Sequence, residues 1–263
     1  MRDITYPPII LTAKTVFRVL GQKFDIQGVE HIPRQGGALM AFNHVGYLDF
    51  IYGGFPAHLA GRRVVRFMAK KEVFDNPVGG PVMRSMHHIP VDRGDGIASY
   101  HQAVDYLREG ELVGIFPEAT ISRAMELKEF KTGAVRIASA AGVPIIPVTL
   151  FGTQRIFTKG HPKDFSRGRS ITITVGEPMP VSGADPVTET AELHARMSKM
   201  LDETIQRHPA AERPAGAWWV PASHGGSAPT LEEAAAIDAE ERRARARRKA
   251  AKAAEKRQGS TDS

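Results

Sequence analysis

The chain has no cysteine among its 263 residues. That absence excludes a disulfide framework, a thiolate nucleophile and any metal site built on Cys ligands, and it fits a reducing compartment. Long apolar runs are missing too. No stretch reaches the roughly 18 residues that a membrane-spanning helix needs. No basic-apolar-small leader opens the chain, so neither a signal peptide nor a membrane span is expected. A Gly-x-Ser-x-Gly turn is also absent, which removes the serine elbow as a route to a covalent intermediate. No internal repeat occurs. The length suits one large α/β domain with a sizeable core, or two small ones.

Positive charge, by contrast, is in excess. The formal net charge is +6 and the isoelectric point about 9.6, which favours anionic partners such as nucleic acid, phosphorylated metabolites or acidic lipid surfaces. Much of the excess sits in "ERRARARRKAAKAAEKRQ" near the C-terminus, and the rest of the chain is more nearly balanced. The overall charge therefore says little about the folded domain.

Patterning divides the chain into three. Residues 1–22 hold "YPPIILTAKTVFRVLGQ", an amphipathic helix after a Pro-Pro start. Ile9, Ile10, Ala13, Val16, Phe17 and Leu20 share one face, while Lys14 and Arg18 lie elsewhere. Such a helix either packs on the core or lies in a membrane interface with its basic residues snorkelling.

Residues 23–208 alternate short apolar runs with helical patterns. The expected strands are "FDIQGVEHI", "GALMAFN", "RVVRFMA", "HHIPVD", "ELVGIF", "PIIPVTLFG" and "SITITVGE". Several are unbroken Val/Ile/Leu/Phe runs, as strands covered on both faces require. Helices are expected over 96–109, from Thr132 to Ala141 with a stop at Gly142, and from Asp185-Pro186 to Arg207. The alternation predicts an α/β domain: one mixed, mostly parallel central sheet of about seven strands, flanked by helices.

Residues 209–263 begin with a Pro/Gly/Ala-rich segment, expected to lie extended on the surface or act as a linker, with Trp218-Trp219 pinning it to the domain. A capping box at Thr230–Glu233 then opens a polar helical tail without an apolar stripe. That tail is expected to be solvated and frayed, and its last few residues disordered.

Chemistry enters at "AFNHVGYLDF", residues 41–50. A histidine takes protons well near neutral pH when a carboxylate receives its other ring N–H, fixing the tautomer and stabilising the imidazolium. His44 and Asp49 suit such a dyad. Positions five apart diverge by about 140° on one helix, so the pair meets only if His44 precedes the helix in the strand-to-helix turn, which Gly46 eases. Three further strand ends carry polar groups: "IPVDRG" with Arg93, suited to hold a phosphate bidentately or to pair with Asp92 or Asp95; "GIFPEAT" with Glu118 and Thr120; and "GVPIIPV", whose prolines should disrupt a central strand. In α/β sheets ligands gather outside the carboxyl ends of the strands. His87 and His88, adjacent on a strand and facing opposite sides, do not make a metal site, and none is expected.

Taken in order, these blocks resemble the glycerolipid acyltransferase family, to which bacterial 1-acyl-glycerol-3-phosphate acyltransferases belong. Its blocks N-H-x-x-x-x-D, one ending in Arg, F-P-E-G-T-R and V-P-hydrophobic-P correspond here to Asn43–Asp49, Ile89–Arg93, Phe116–Thr120 and Val143–Pro147. The similarity spans about residues 25–180 and leaves the tail outside. It implies His44 as general base, Asp49 as its orienter, and Asn43, Arg93, Phe116, Pro117, Glu118 and Thr120 at the acceptor's glycerol-phosphate site. It also implies acyl transfer from acyl-CoA or an acyl carrier protein to the free hydroxyl of a lysophospholipid, without metal or prosthetic group. The oxyanion of such a reaction needs donors, expected from backbone N–H groups near the first block.

Two departures stand out. Gly46 replaces a common serine, and Ala119-Thr120-Ile121 stands where the third block usually reads Gly-Thr-Arg. Arg123, Lys128 or Lys131 is the expected substitute for the missing cation. The altered block leaves open acceptors such as glycerol-3-phosphate, another lysophospholipid or a glycosylated lipid. Substrates with long acyl chains imply a peripheral protein on the cytoplasmic face of the cell membrane, with the N-terminal helix and basic tail meeting an anionic surface. Nucleic-acid binding through the tail is the rival from another class. The tail lacks interleaved aromatics and any recognition motif, so no nucleic acid is expected.

Overall fold

The structure is a computed structural model that describes residues 5–92 and 94–258, with the backbone alone for residues 249, 250 and 252–258. The expected disorder of the last few residues, over 259–263, lies outside the described residues, as does Arg93.

Seven strands form: β1 (Lys23–Gln27), β2 (Ala38–Phe42), β3 (Val65–Lys70), β4 (Ile89–Val91), β5 (Leu112–Ile115), β6 (Ile145–Phe151) and β7 (Ser170–Val175). They make one sheet in the order β1-β7-β6-β2-β5-β3-β4. Every pairing is parallel except β6 with β7. The helices are α1 (Tyr6–Val19), α2 (Asp49–Gly61), α3 (Lys71–Phe74), α4 (Gly79–Ser85), α5 (Ile97–Arg108), α6 (Gly133–Ala141), α7 (Pro186–Arg207) and α8 (Leu231–Gln258). The architecture is the single mixed, mostly parallel α/β sheet that the alternation predicts.

β2 lies at the centre, and all five of its residues are 0% exposed. Successive strand side chains point to opposite faces, so Leu39 and Ala41 pack with α5, α6 and α7 on one side. Ala38, Met40 and Phe42 pack with Phe17 of α1 and with Tyr52 and Ala57 of α2 on the other. Two buried layers thus clamp the strand that carries His44 at its end. α7 starts at an Asp185 cap whose Oδ1 accepts the Val187 and Thr188 N–H groups at 3.1 and 3.2 Å and at Pro186 in the first helical position. α6 stops at Gly142, whose φ of 71° is the left-handed geometry glycine adopts without strain.

Two expectations are corrected. The prolines do not break β6: the strand runs through Pro147, and the Pro147 carbonyl accepts the Gly176 N–H at 2.8 Å. The ladder to β7 starts only at Val148, so the donor that proline lacks falls beyond that ladder's end. Nor is α8 wholly solvated. Ala234 is buried, and Asp238 and Glu241 are ion-paired to the domain.

The Pro/Gly-rich segment leading to α8 packs against the domain through its tryptophans. Trp219 joins the cluster around Phe151, with the Arg155 guanidinium 4.2 Å over its ring. Trp218 stacks on His161 at 3.6 Å.

Candidate active site

The central parallel strands β2, β5 and β6 end on the same rim of the sheet, and the motif residues are carried there. Beyond Phe42, Asn43 is fully buried. Its side-chain amide donates to the Leu150 carbonyl at 3.0 Å and its Oδ1 accepts the Leu150 N–H at 2.7 Å. Asn43 thus splices the end of β2 onto β6. Both ends of its amide are bonded to Leu150, which gives it a framework role at this rim.

The chain then turns into α2, whose first residue is Asp49. The turn brings His44 Nδ1 within 3.0 Å of Asp49 Oδ2. The same oxygen accepts the Val45 and Gly46 N–H groups, both at 2.7 Å, and Oδ1 accepts the Thr153 hydroxyl at 2.6 Å. Asp49 is 0% exposed. A buried carboxylate survives when its lone pairs are satisfied, and here both oxygens have donors. The His44 ring lies face on to Phe116, with centroids 4.2 Å apart. Its side chain keeps 20% exposure, so the ring edge away from Asp49 reaches solvent.

The backbone N–H groups expected as oxyanion donors also have partners within the protein. The His44 N–H donates to Glu118, those of Val45 and Gly46 to Asp49, and that of Tyr47 to the Phe157 carbonyl. The first block's backbone donors spend themselves on holding the block in shape.

Glu118 braces the neighbouring loop. Its Oε1 accepts the His44 N–H at 2.8 Å and its Oε2 the Lys128 N–H at 3.1 Å. Burial pushes its carboxyl up to about 8, against the pull of those two donors and of the Lys128 charge. Both of its oxygens are taken by backbone N–H donors, so in this structure it braces the turn. Phe116 and Pro117 wall the same turn, and the Pro117 carbonyl accepts the Lys131 N–H. Ala119 adopts a left-handed φ of 60°, where the resembled block carries glycine.

The cations sort unevenly. Ile121, at the place of the missing arginine, is buried. Lys131 is exposed. Arg123 and Lys128 converge with Lys159, which sequence reasoning missed. Lys128 Nζ donates to the Thr120 hydroxyl at 2.5 Å, and Lys159 Nζ to the Ile121 carbonyl at 3.2 Å. Thr153 was also missed, although it follows β6 at the strand end where α/β sites gather. Lys159 sits deeper in the same loop and carries no such signal. His88, set aside as a metal ligand, is buried, and its Nδ1 accepts the Phe67 N–H at 2.9 Å. Among the described residues, no group of three or more His, Cys, Asp or Glu is arranged to hold a metal ion.

Known proteins give this geometry a context. Residues 23–150 match the family model described as Acyltransferase. The 1-acyl-sn-glycerol-3-phosphate acyltransferase of Bacillus subtilis is 34% identical over 184 residues, covering 67% of this chain and 83% of that protein. The chloroplastic 1-acyl-sn-glycerol-3-phosphate acyltransferase BAT2 of Brassica napus is 32% identical over 64% of this chain, which spans about half (48%) of that protein. The crystal structure of the 1-acyl-sn-glycerophosphate acyltransferase PlsC of Thermotoga maritima superposes with a TM-score of 0.64 at 24% identity, over 77% of this chain and 80% of that one. At that identity the likeness is one of fold.

Proposed function

The chain belongs to the acyltransferase family, and from that premise we propose that it moves an acyl group from a thioester to the free hydroxyl of 1-acyl-glycerol-3-phosphate, giving phosphatidate. Family membership makes it an O-acyltransferase. The observation that carries the finer reading is the contact between His44 Nδ1 and Asp49 Oδ2 at the end of β2.

With Nδ1 turned to Asp49, Nε2 is the atom that accepts the proton of the acceptor hydroxyl. The alkoxide attacks the thioester carbonyl, the tetrahedral intermediate collapses, and the departing thiolate takes the proton back from His44. Asp49, accepting from the ring, orients it and stabilises the imidazolium. Its other donors, Thr153 and two backbone N–H groups, hold it where the ring needs it. Acyl-CoA and acyl carrier protein both supply the required thioester. Arg123, Lys128 and Lys159 form the cationic side of the acceptor site.

The substrates' acyl chains call for a membrane surface. No helix among the described residues is long and apolar enough to cross a bilayer. α1 exposes Leu11, Val16 and Val19, and the basic half of α8 adds charge that attracts anionic lipid.

A thiol-release assay on the purified chain, with acyl-CoA and lysophosphatidate beside glycerol-3-phosphate, tests the reading. His44→Ala should lower kcat by about 10²–10⁴-fold with an unchanged circular dichroism spectrum. Undiminished turnover in that variant overturns the general-base assignment.

A further inference from the structure

The acidic stretch of α8 ends in the cationic side of the site. Asp238 Oδ1 accepts from Arg123 Nε at 3.1 Å and from Lys159 Nζ at 3.2 Å, and Oδ2 lies 3.5 Å from Lys128 Nζ. Glu241, on the same face of the helix, pairs with the Arg123 guanidinium. Side-chain exposures of 10% for Arg123, 16% for Lys159 and 12% for Asp238 take this cluster out of the class of surface ion pairs that contribute little. Burial raises the Asp238 carboxyl, but its bonds to Lys159 and Arg123 outweigh that and leave it below the ordinary aspartate value. It is therefore ionised at neutral pH.

The cluster adjoins the reacting centre. Glu118 accepts the His44 N–H with one oxygen and the Lys128 N–H with the other, so one carboxyl group separates the proposed base's backbone from the nearest cation's. Three cations drawn from two loops around a single oxyanion is the arrangement a phosphate requires. Here the oxyanion is the chain's own. Lys159 and Asp238 both lie beyond residue 150, where the family match ends, so this pairing belongs to the part of the chain outside that match.

We propose that Asp238 is a specificity-determining residue that acts as an internal occupant of the acceptor's phosphate site, so that a phosphate binds by displacing its carboxylate from Arg123, Lys128 and Lys159. The proposal rests on the reading above that the acceptor carries a phosphate. Arg123, Lys128 and Lys159 bring three positive charges, which Asp238 and Glu241 reduce to one. A phosphomonoester, with close to two negative charges and three acceptor oxygens at pH 7, outcompetes a carboxylate for such a set. The competition still lowers apparent affinity by the fraction of molecules whose site is filled by Asp238. α8 thus sets how much phosphate-bearing acceptor the enzyme needs, and favours acceptors whose phosphate is doubly charged.

The test uses the full chain as wild type, Asp238→Asn and Glu241→Gln. Its first readout is thermal stabilisation by inorganic phosphate at constant ionic strength, which needs no turnover. Its second is the KM for lysophosphatidate beside that for 1-acylglycerol, which has no phosphate. Asp238→Asn should bind inorganic phosphate about 10-fold more tightly and lower the KM for lysophosphatidate by a similar factor, as expected when the competent fraction rises. The gain should be confined to the phosphate-bearing acceptor. Glu241→Gln, which frees one edge of Arg123 and leaves Asp238 in place, should show a smaller gain of the same sign.

Phosphate affinity that is unchanged or weaker in Asp238→Asn makes Asp238 a brace for the cations and overturns the proposal. Should Asp238→Asn not fold, a Glu241→Gln variant without gain overturns it equally. Tighter phosphate binding with no transfer to lysophosphatidate in any form would sink the acceptor reading and leave the internal occupant standing.

Discussion

Asp49 must satisfy an imidazole, two backbone N–H groups and a hydroxyl at once, with none of its surface exposed. Removing the Thr153 hydroxyl leaves one carboxylate oxygen buried without its donor. Thr153→Val should destabilise the protein by about 1–3 kcal/mol, the usual cost of an unmet buried acceptor, and lower kcat about 10-fold with little change in KM. Thr153→Ser should restore kcat. A purely structural role would move the melting temperature alone, so the split between kcat and KM decides.

The His44–Asp49 contact was legible in the sequence because both partners sit in one strand, turn and helix. Thr153 was not, because it arrives from a strand over a hundred residues later. Ala119 is a case between. Its left-handed φ explains why a block of this kind favours glycine there, yet the sequence shows only that the glycine is missing.

At the scale of elements, α2 must lie close enough to β2 for Asp49, at its first turn, to meet His44. Gly53 makes that approach possible. A Cβ there would stand 2.8 Å from the Phe42 ring, and Phe42 is fully buried with nowhere to move. Gly53→Val should cost about 1–3 kcal/mol by overpacking. It should also reduce kcat at least 10-fold, since displacement of a positioning group by about an ångström has a large effect on rate. Gly53→Ala should show a milder form of both. Melting temperature and kcat that move independently would break the link between α2 packing and the dyad.

Elements of this kind were readable wherever apolar periodicity declared them. All seven strands and the helices α5, α6 and α7 follow it. α8 was misjudged because its seat on the domain is electrostatic. Hydrophobic patterning is silent about a helix held by Asp238 and Glu241. The short helices α3 and α4, spread over a stretch broken by Pro77, Gly79, Gly80 and Pro81, gave no sustained period to read.

On the whole molecule, the exposed apolar residues of α1 and the basic stretch of α8 should act by different physics. In sedimentation with anionic vesicles, replacing Leu11 and Val19 by Glu should lower binding at every salt concentration. Replacing Arg242, Arg243 and Arg245 by Gln should weaken it at low salt and have little effect at high salt, where charges are screened. Each arginine near such a surface is worth about 1 kcal/mol. Binding that ignores both sets of changes would overturn the membrane role proposed for these two elements.

The clamped strand β2 has one further consequence. His44 inherits its position from five residues that no solvent reaches, whereas Arg123, Lys128, Lys159 and Asp238 hang from two loops and a terminal helix. On the proposed reading, bond-making and acceptor choice then rest on different elements, joined at Glu118, which accepts N–H groups from both His44 and Lys128. A redesign of headgroup preference should therefore work through Arg123, Lys159 and Asp238 and spare Lys128, whose N–H shares Glu118 with that of His44.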